Sequence, residues 1–371
     1  MTRRDWLALA GLAFPTSCGR KKGTGYPGYA LIATAGDNSV AVVDLTRFRY
    51  VKSIPVPAPP TAVVSASAAV AYVLTPSNGS VSIIDAGLNR RITRRWADEL
   101  SEIRLLPNEK RLIGVAPSSR ELIEADARTV SVTRRRRLGS RPTTLDISSQ
   151  GHVAVASRMD GSVDLFDLST GEWRHIRLKP GIGAVRFRAD GKVLLVADTD
   201  QRLITGLSIP DLGMIAELPL AMSPENLCFK PDGGQLFVSG NGMDAVAIVF
   251  PYNDLEVEQT VLAGRDPGAM ACSADPTYLF VASASGSDVN ILNVDNRKVI
   301  GVVQVGLEPR FIMTTPDDQY ALVLNERSGD IAVIRVGAIR ANRDRTGAAL
   351  FTMLPVGNRP VHCAILPRQL G

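Results

Sequence analysis

An aspartate that closes an apolar segment recurs at a fixed interval in the first half of the chain. The four residues, each 41 positions after the one before, are Asp44, Asp85, Asp126 and Asp167. The register then continues, at steps of 41, 42, 43 and 42 positions, through Ser208, Phe250, Asn293 and Arg335. A period of about 20–50 residues is the signature of solenoids and propellers, whose single units cannot bury their apolar faces alone. The 371-residue chain is therefore predicted to contain eight such units.

Each unit contains four short apolar runs. A run that ends in a polar turn, such as YALIATAG at 29–36 or YALVLNER at 320–327, follows a shorter run often opened by proline, such as PENLCF at 224–229. The turn between them, RADGK at 188–192 or KPDGG at 230–234, has the Asp and Gly that a tight reversal requires. Four short strands in about 41 residues form one antiparallel four-stranded sheet, which is the blade of a β-propeller.

The two ends of the array complement each other. The chain enters at Tyr29 with the second strand of a blade and ends with PVHCAI at 360–365, a first strand without its followers. Joining residues 27–57 to residues 357–367 completes one blade and closes the ring, whereas an open solenoid needs polar caps. The sequence thus predicts an all-β fold over 27–371, a single propeller of eight four-stranded antiparallel blades. Seven blades is the alternative if one unit is irregular, and the third unit, around 99–115, is the least typical.

Several of these segments resemble a known repeat family. KPDGGQLFVSGNG, AYVLTPSNGSVSIID, SIPVP and VVQVG, at 230–242, 71–85, 53–57 and 302–306, are similar to the turn and strand motifs of YVTN-family β-propellers. The resemblance covers residues 27–367 and implies a propeller of the exported bacterial group that includes surface-layer-like and lactonase-like proteins. Such repeats occur in surface proteins, lactonase-like enzymes and dehydrogenase subunits, so the resemblance does not fix an activity.

The N-terminus has the features of an export signal. Arg3 and Arg4 precede a short apolar run at 6–14, as in the positive head and apolar core of a signal peptide. The segment resembles a twin-arginine signal, and PTSC at 15–18 resembles a lipobox in which Cys18 is the lipidation candidate, although Pro15 departs from that pattern. Residues 1–26 are predicted to be an export signal and lipoprotein-like linker. The protein is then periplasmic or a membrane-anchored lipoprotein of the cell envelope.

The inner strands break the repeat in one place. In seven of the eight inner strands, the residue three positions after the strand's opening position is aliphatic or Met, and in the eighth it is Cys363. The next position carries Arg104, Asp146 and Arg186 in three consecutive blades. One interpretation of this interblade charge triad is a salt-bridge chain that fixes packing register, since facing sheets lie about 10 Å apart. The other interpretation is a ligand site near the channel.

Charged residues also occupy the loops before the inner strands, where the central channel opens. These ligand-binding candidates at the channel mouth are Arg141, Asp266, Glu308, Arg310 and Arg359. Mixed charge of this kind is also what an ordinary solvated ring of loops shows.

Arginine is concentrated on two outermost strands, although the net charge is only +5. This basic outer edge consists of Arg90, Arg91, Arg94, Arg95, Arg134, Arg135, Arg136 and Arg137. Such residues either prevent edge-to-edge pairing of sheets or bind an anionic partner, such as a phospholipid surface or acidic polysaccharide. Nucleic acid is not predicted, because too few aromatic residues accompany the arginines to stack bases.

Residues for metal or acid–base chemistry are scattered. His152, His175 and His362 fall in blades 4, 4 and 1, too far apart for one metal site, and no metal or cofactor is predicted. The repeated aspartates are expected to bind backbone N–H groups in turns. Apart from Cys18, the cysteines are Cys228, Cys272 and Cys363, and buried free thiols are expected.

The sequence therefore favours an exported, monomeric binding or scaffold protein of the cell envelope. Its partner is a protein, a polysaccharide or a small molecule, with an anionic membrane surface as a further candidate. The alternative is an enzyme that uses the channel mouth, either a lactonase-like hydrolase or a quinone-linked dehydrogenase-like protein.

Overall fold

The computed structural model describes residues 25–67, 69–252, 254–339 and 349–368. In blades 1 to 4 the strands are β1 (Gly28–Thr34), β2 (Ser39–Asp44), β3 (Arg49–Pro55), β4 (Ala62–Ala66), β5 (Val70–Thr75), β6 (Ser80–Ile84), β7 (Arg90–Arg95), β8 (Glu102–Leu105), β9 (Arg111–Ala116), β10 (Glu121–Asp126), β11 (Val132–Arg137), β12 (Thr144–Ile147), β13 (His152–Ser157), β14 (Ser162–Asp167) and β15 (Trp173–Arg177). In blades 5 to 8 and the closing strand they are β16 (Ile182–Phe187), β17 (Val193–Asp198), β18 (Leu203–Ser208), β19 (Met214–Pro219), β20 (Asn226–Phe229), β21 (Leu236–Ser239), β22 (Ala245–Phe250), β23 (Glu256–Leu262), β24 (Pro267–Cys272), β25 (Tyr278–Ser283), β26 (Asp288–Asn293), β27 (Lys298–Gln304), β28 (Pro309–Thr314), β29 (Tyr320–Asn325), β30 (Asp330–Arg335), β31 (Leu350–Pro355) and β32 (Pro360–Pro367). Three single-turn 3₁₀ segments, Ala35–Asp37, Pro76–Asn78 and Val336–Ala338, are the helical elements of the described residues.

The strands form eight four-stranded antiparallel sheets, so the eight-blade prediction is confirmed, including a regular third blade. Seven sheets are consecutive in sequence, and the eighth has the order β3-β2-β1-β32. In that sheet Ile32 lies opposite Cys363 and Leu31 opposite Ala364. The last strand of the chain is thus the innermost strand of blade 1, and the predicted closure of the ring is also confirmed.

The core lies between the blades. The second and third strands of a blade are buried on both faces, as β2 is along its whole length, whereas the outermost strands are largely exposed. Because successive side chains of a strand point to opposite faces, Leu31 packs toward blade 2 and Ile32 toward blade 8. One apolar cluster fills each of the eight interfaces between adjacent blades. The short apolar runs of the sequence are therefore filling shared by neighbouring blades.

The repeated aspartates bind turns at the ends of the third strands, as expected. The Asp167 carboxylate accepts hydrogen bonds from the backbone N–H groups of Ser169 at 2.8 Å and Thr170 at 3.2 Å, and Asp126 and Asp44 make equivalent bonds. The Ser169 hydroxyl and these N–H groups lower the pKa of Asp167 to about 2. These residues stabilise the turn between the third and fourth strands and are not part of a site.

Alternating strand directions place different turns on the two faces of the ring. The loops that lead into the innermost strands lie on the same face as the turns between the second and third strands. We call this the mouth face, because the loops next to the channel are there. The innermost strands β32, β4, β8, β12, β16, β20, β24 and β28 surround the central channel.

Candidate functional site

Polar side chains on the channel wall are concentrated in adjacent blades. At the register of the triad the eight blades carry Ala364, Val64, Arg104, Asp146, Arg186, Cys228, Ala271 and Met313. Period-two alternation adds Glu102 of β8 and Thr144 of β12 on the same strand faces as Arg104 and Asp146. We call Glu102, Arg104, Thr144, Asp146 and Arg186 the polar arc. It occupies blades 3 to 5, and all five residues are partly accessible.

Glu102 connects blades 3 and 4 within the arc. One carboxylate oxygen forms an ion pair with Arg104 at 2.5 Å. The other accepts hydrogen bonds from the Thr144 hydroxyl at 3.0 Å and from the backbone N–H of Leu145 at 2.9 Å. This residue was not among the sequence candidates, although its position two residues before Arg104 on one strand face is a signal that could have found it.

Asp146 connects blades 4 and 5 within the arc. Its carboxylate accepts a hydrogen bond from the backbone N–H of Phe187 in the next blade at 2.8 Å. Burial raises the pKa of Asp146, and the nearby charges of Arg186 and Arg104 only partly oppose that rise. Asp146 is therefore a hydrogen-bond acceptor between two guanidinium groups in a poorly hydrated part of the wall.

The three triad residues are neighbours, but the structure does not pair them as a salt-bridge chain. Arg104 forms its ion pair with Glu102, and Arg186 donates to the backbone carbonyl of Val185 at 2.8 Å. Among the described residues, no carboxylate oxygen comes within 4 Å of the Arg186 guanidinium. The Arg186 side chain is partly accessible, so its other N–H groups can meet an oxyanion.

His362 lies on the channel wall in blade 1. Its ring lies against the Phe311 ring, with centroids 4.5 Å apart and planes tilted by 43°, and its Nδ1 accepts a long hydrogen bond from the N–H of Val63 at 3.4 Å. Burial, and secondarily the charge of Arg104, lowers the pKa of His362 to about 4. The imidazole is therefore neutral near pH 7 and extends the wall beside the arc as a polar but uncharged group.

A pocket opens on the mouth face above the inner strand of blade 5. It has a volume of about 440 Å³ and is lined by Arg158, Gly183, Thr199, Asp200, Ser223 and Glu225. Arg158 and Asp200 form an exposed ion pair at 3.0 Å across blades 4 and 5. This pocket has no signature in the sequence, because its lining comes from loops of three units and has no common motif.

The five predicted mouth residues separate into one cluster and two isolated positions. Glu308, Arg310 and Arg359 meet at the junction of blades 8 and 1, where the turn residues Glu326 and Arg327 join them through ion pairs of 3.1–4.0 Å. Arg141 instead lies 3.7 Å from Glu99. The backbone N–H of Asp266 donates to Asp244 at 2.9 Å. The cluster contains three arginines and two glutamates, so its net charge is only +1.

The basic outer edge lies where the sequence predicts it. Its eight arginines occupy β7 and β11, the outermost strands of blades 2 and 3, and most of them are exposed. Arg136 is the exception, since its side chain is 16% exposed and lies 3.6 Å from the buried Glu124 carboxylate.

The cysteines of the described residues are free thiols. Cys228 and Cys272 are half-buried on neighbouring inner strands, and Cys363 is buried at the ring closure. Burial raises the pKa of Cys228 to about 12 and also raises the pKa of the other two. All three thiols are therefore protonated near neutral pH and are weak nucleophiles.

The described residues contain no group of three or more His, Cys, Asp or Glu side chains arranged to hold a metal ion. Within the same ranges, no helix has the length and apolarity to cross a membrane. Arg3, Arg4 and Cys18, on which the export and lipidation predictions rest, lie outside the described residues.

Comparison with known proteins supports the fold. No family model matches the chain. NHL repeat-containing protein 3 of Homo sapiens is 34% identical over 80 residues, which are 20% of this chain and 23% of that protein. The match thus spans less than a quarter of that relative's length.

Solved propeller structures cover more of the chain. The dihydro-heme d1 dehydrogenase NirN, solved in complex with DHE, has a TM-score of 0.77 at 13% identity, over 93% of this chain and 76% of that chain. The Myceliophteria thermophila Cps50 (Swd1) β-propeller domain has a TM-score of 0.59 at 15% identity, over 75% and 97%. Kuenenia stuttgartiensis hydrazine synthase has a TM-score of 0.54 at 19% identity, over 87% and 99%. At these identities the likeness shows the β-propeller fold alone.

Proposed function

We propose that the protein is an exported β-propeller of the cell envelope that acts as a binding protein, with a small polar ligand held against the polar arc of the channel. The export part of this proposal rests on the N-terminal sequence, where an arginine pair precedes an apolar run. The binding part rests on the channel wall. No catalytic step is assigned to these residues.

The observation that carries the binding proposal is the broken symmetry of the wall. At one register, two arginines flank an aspartate in blades 3 to 5, while the other five blades carry Val64, Cys228, Ala271, Met313 and Ala364. A ring held together only by packing gains nothing from burying a carboxylate there, since desolvated charges are costly. Charged groups confined to one side of a channel are better explained by a ligand that they bind.

The chemistry of the arc defines the class of ligand. Guanidinium groups bind carboxylates and phosphates with paired N–H donors, and Arg186 has no carboxylate within 4 Å among the described residues. The Asp146 carboxylate, between the two arginines, accepts a donor such as a hydroxyl or an ammonium group. We therefore expect a small molecule with a carboxylate or phosphate close to a hydrogen-bond donor, as in hydroxy acids, amino acids and sugar phosphates.

The test is a thermal-shift screen of the folded chain with malate, citrate, aspartate and a hexose phosphate. At least one of these probes should raise the melting temperature saturably, because a ligand that binds only the native state stabilises it. The Arg186→Gln and Arg104→Gln variants should lose that rise. The matched control is Arg202→Gln, an exposed arginine outside the arc whose guanidinium makes only a 3.5 Å hydrogen bond to the Ala221 carbonyl.

Two results would reject the binding site. The first is no saturable shift with any probe, and the second is a shift that both arc variants retain. The compartment is tested separately, by fractionating cells that produce the full chain. Export predicts protein outside the cytoplasm, with the Arg3→Lys/Arg4→Lys variant retained inside, whereas equal retention of both forms would reject it.

A further inference from the structure

The outer wall of the ring is strongly asymmetric in charge. The outermost strands of blades 2, 3 and 4, namely β7, β11 and β15, carry four, four and two arginines and no carboxylate. The next two outermost strands carry only acidic charge, with Glu217 on β19 and Glu256 and Glu258 on β23. We call the exposed surface of β7, β11 and β15 the basic wall.

Half of the arginines in the basic wall have no ion-pair partner among the described residues. These are Arg90, Arg94, Arg134, Arg137 and Arg177, all exposed and none within 4 Å of a carboxylate oxygen. Protection of an edge strand against aggregation does not explain them, because β19 and β31 are also outermost strands and carry no basic residue. Uncompensated positive charge of this density attracts a polyanion.

The guanidinium groups extend from one blade to the next. Arg135 of β11 donates to the backbone carbonyl of Trp96 in blade 2 and pairs with Glu121 of its own blade. Arg136, the next residue, lies over the Phe166 ring of blade 4 at 5.7 Å. On β7, Arg94 is opposite Val81, whose side chain packs toward blade 3. The basic wall is therefore one continuous band across the grooves that separate three blades.

The shape of the band favours a flexible chain over a flat surface. In an eight-membered ring, neighbouring blades are turned by about 45°, so the three outermost strands lie on a convex arc of about 90°. A planar bilayer that contacts the middle strand cannot also reach the strands on either side of it. A linear polyanion can bend along all three.

Trp173 gives the band an aromatic surface at its blade 4 end. Its side chain is 52% exposed, yet its indole N–H donates to the buried Asp164 carboxylate at 3.0 Å, and His175 contacts the same oxygen at 2.9 Å. At a membrane interface, the indole N–H of a tryptophan points toward water. The N–H of Trp173 is instead bonded to Asp164, so the flat ring face remains available, and it suits stacking against the apolar face of a sugar.

From these observations we infer that the basic wall binds an acidic polysaccharide, with arginines on its carboxylates or other oxyanions and Trp173 on a sugar ring. This site is separate from the polar arc and does not depend on it. Binding should weaken steeply with salt, because the contacts are exposed charge pairs.

The test measures binding to polygalacturonate, with neutral dextran as the uncharged comparison. A quadruple variant changes Arg90, Arg94, Arg134 and Arg137 to Gln, which leaves the observed ion pairs intact. A matched control changes Arg47, Arg202, Arg265 and Lys298 to Gln, exposed residues outside the basic wall. Both sets lower the net charge from +5 to +1, and both proteins should keep the wild-type melting temperature.

The quadruple variant should bind polygalacturonate about six-hundredfold more weakly, since each of the four exposed basic residues near an anionic surface contributes a factor of about five. The control variant should bind nearly as well as the wild type. Equal loss in both variants would overturn the inference by reducing it to net charge. No binding to polygalacturonate, or wall-dependent binding only to vesicles of equal parts phosphatidylglycerol and phosphatidylcholine, would also overturn it.

Discussion

Removal of the last strand should unfold most of the ring. In a chain that ends at Asn358, β1 loses its inner neighbour and the apolar clusters on both sides of blade 1 lose part of their wall. Of the residues removed, Ile365 is 6% exposed and Leu366 is 1% exposed. Burying each of these side chains is worth about 1.5–3 kcal/mol.

The expected loss is large relative to ordinary protein stability. Cys363 and Ala364 are also buried at the closure and add about 1 kcal/mol each, which gives a loss of about 5–8 kcal/mol before any backbone hydrogen bond is counted. Native domains have about 5–15 kcal/mol in total. We therefore expect the truncated chain to be unfolded or only marginally folded at 25 °C.

Thermal unfolding followed by circular dichroism measures this effect. The matched control is a chain that ends at Arg368, which keeps β32 and should melt like the full chain. A synthetic peptide of residues 357–368 should restore a cooperative transition to the truncated protein. If the chain that ends at Asn358 melts at the temperature of the full chain, the ring does not depend on β32 and the reasoning is wrong.

Three further predictions concern single residues. Trp96→Ala should lower the free energy of unfolding by about 4 kcal/mol, because this side chain is 2% exposed and donates to the Val130 carbonyl, whereas Trp173→Ala should cost much less; equal melting temperatures for the two variants would contradict this. Asp146→Asn should stabilise the protein at neutral pH, because burial raises the Asp146 pKa and ionisation is therefore unfavourable in the folded state. That gain should shrink as the pH falls through the raised Asp146 pKa and vanish below the lower pKa of the unfolded chain, and denaturant unfolding with no such pH dependence would refute it. Asp167→Ala should cost about 1 kcal/mol above pH 4, discounted for the exposure of the turn, and the cost should disappear as the pH falls toward the Asp167 pKa of about 2; a cost unchanged at pH 2 would reject the turn role.

The repeat could be predicted because every blade packs against its neighbours in the same way. Each second and third strand must be apolar on both faces, so segments such as 71–75 and 320–325 are both apolar up to a final polar residue. The complementary ends of the chain likewise predicted the pairing of β32 with β1, since an unpaired strand edge is unfavourable.

Side-chain partners in the channel could not be predicted from the same alignment. The register placed Asp146 beside Arg104, but Glu102 is on the same face of the same strand and reaches the guanidinium more easily than a residue of the next blade. Partner choice among charged groups depends on rotamers and on channel width, which the repeat period does not encode. The mouth cluster shows the same limit, since Glu326 and Arg327 come from a turn between strands of blade 8 and join Glu308 only in three dimensions.

The central claim is that a ligand binds on the side of the channel where the repeat is broken. Hydrogen–deuterium exchange of the folded protein, alone and with whichever of the four probes raises the melting temperature most, tests it blade by blade. We expect slower exchange in β8, β12 and β16, which carry the polar arc. Slower exchange confined to the inner strands of blades 6 to 8 would contradict it.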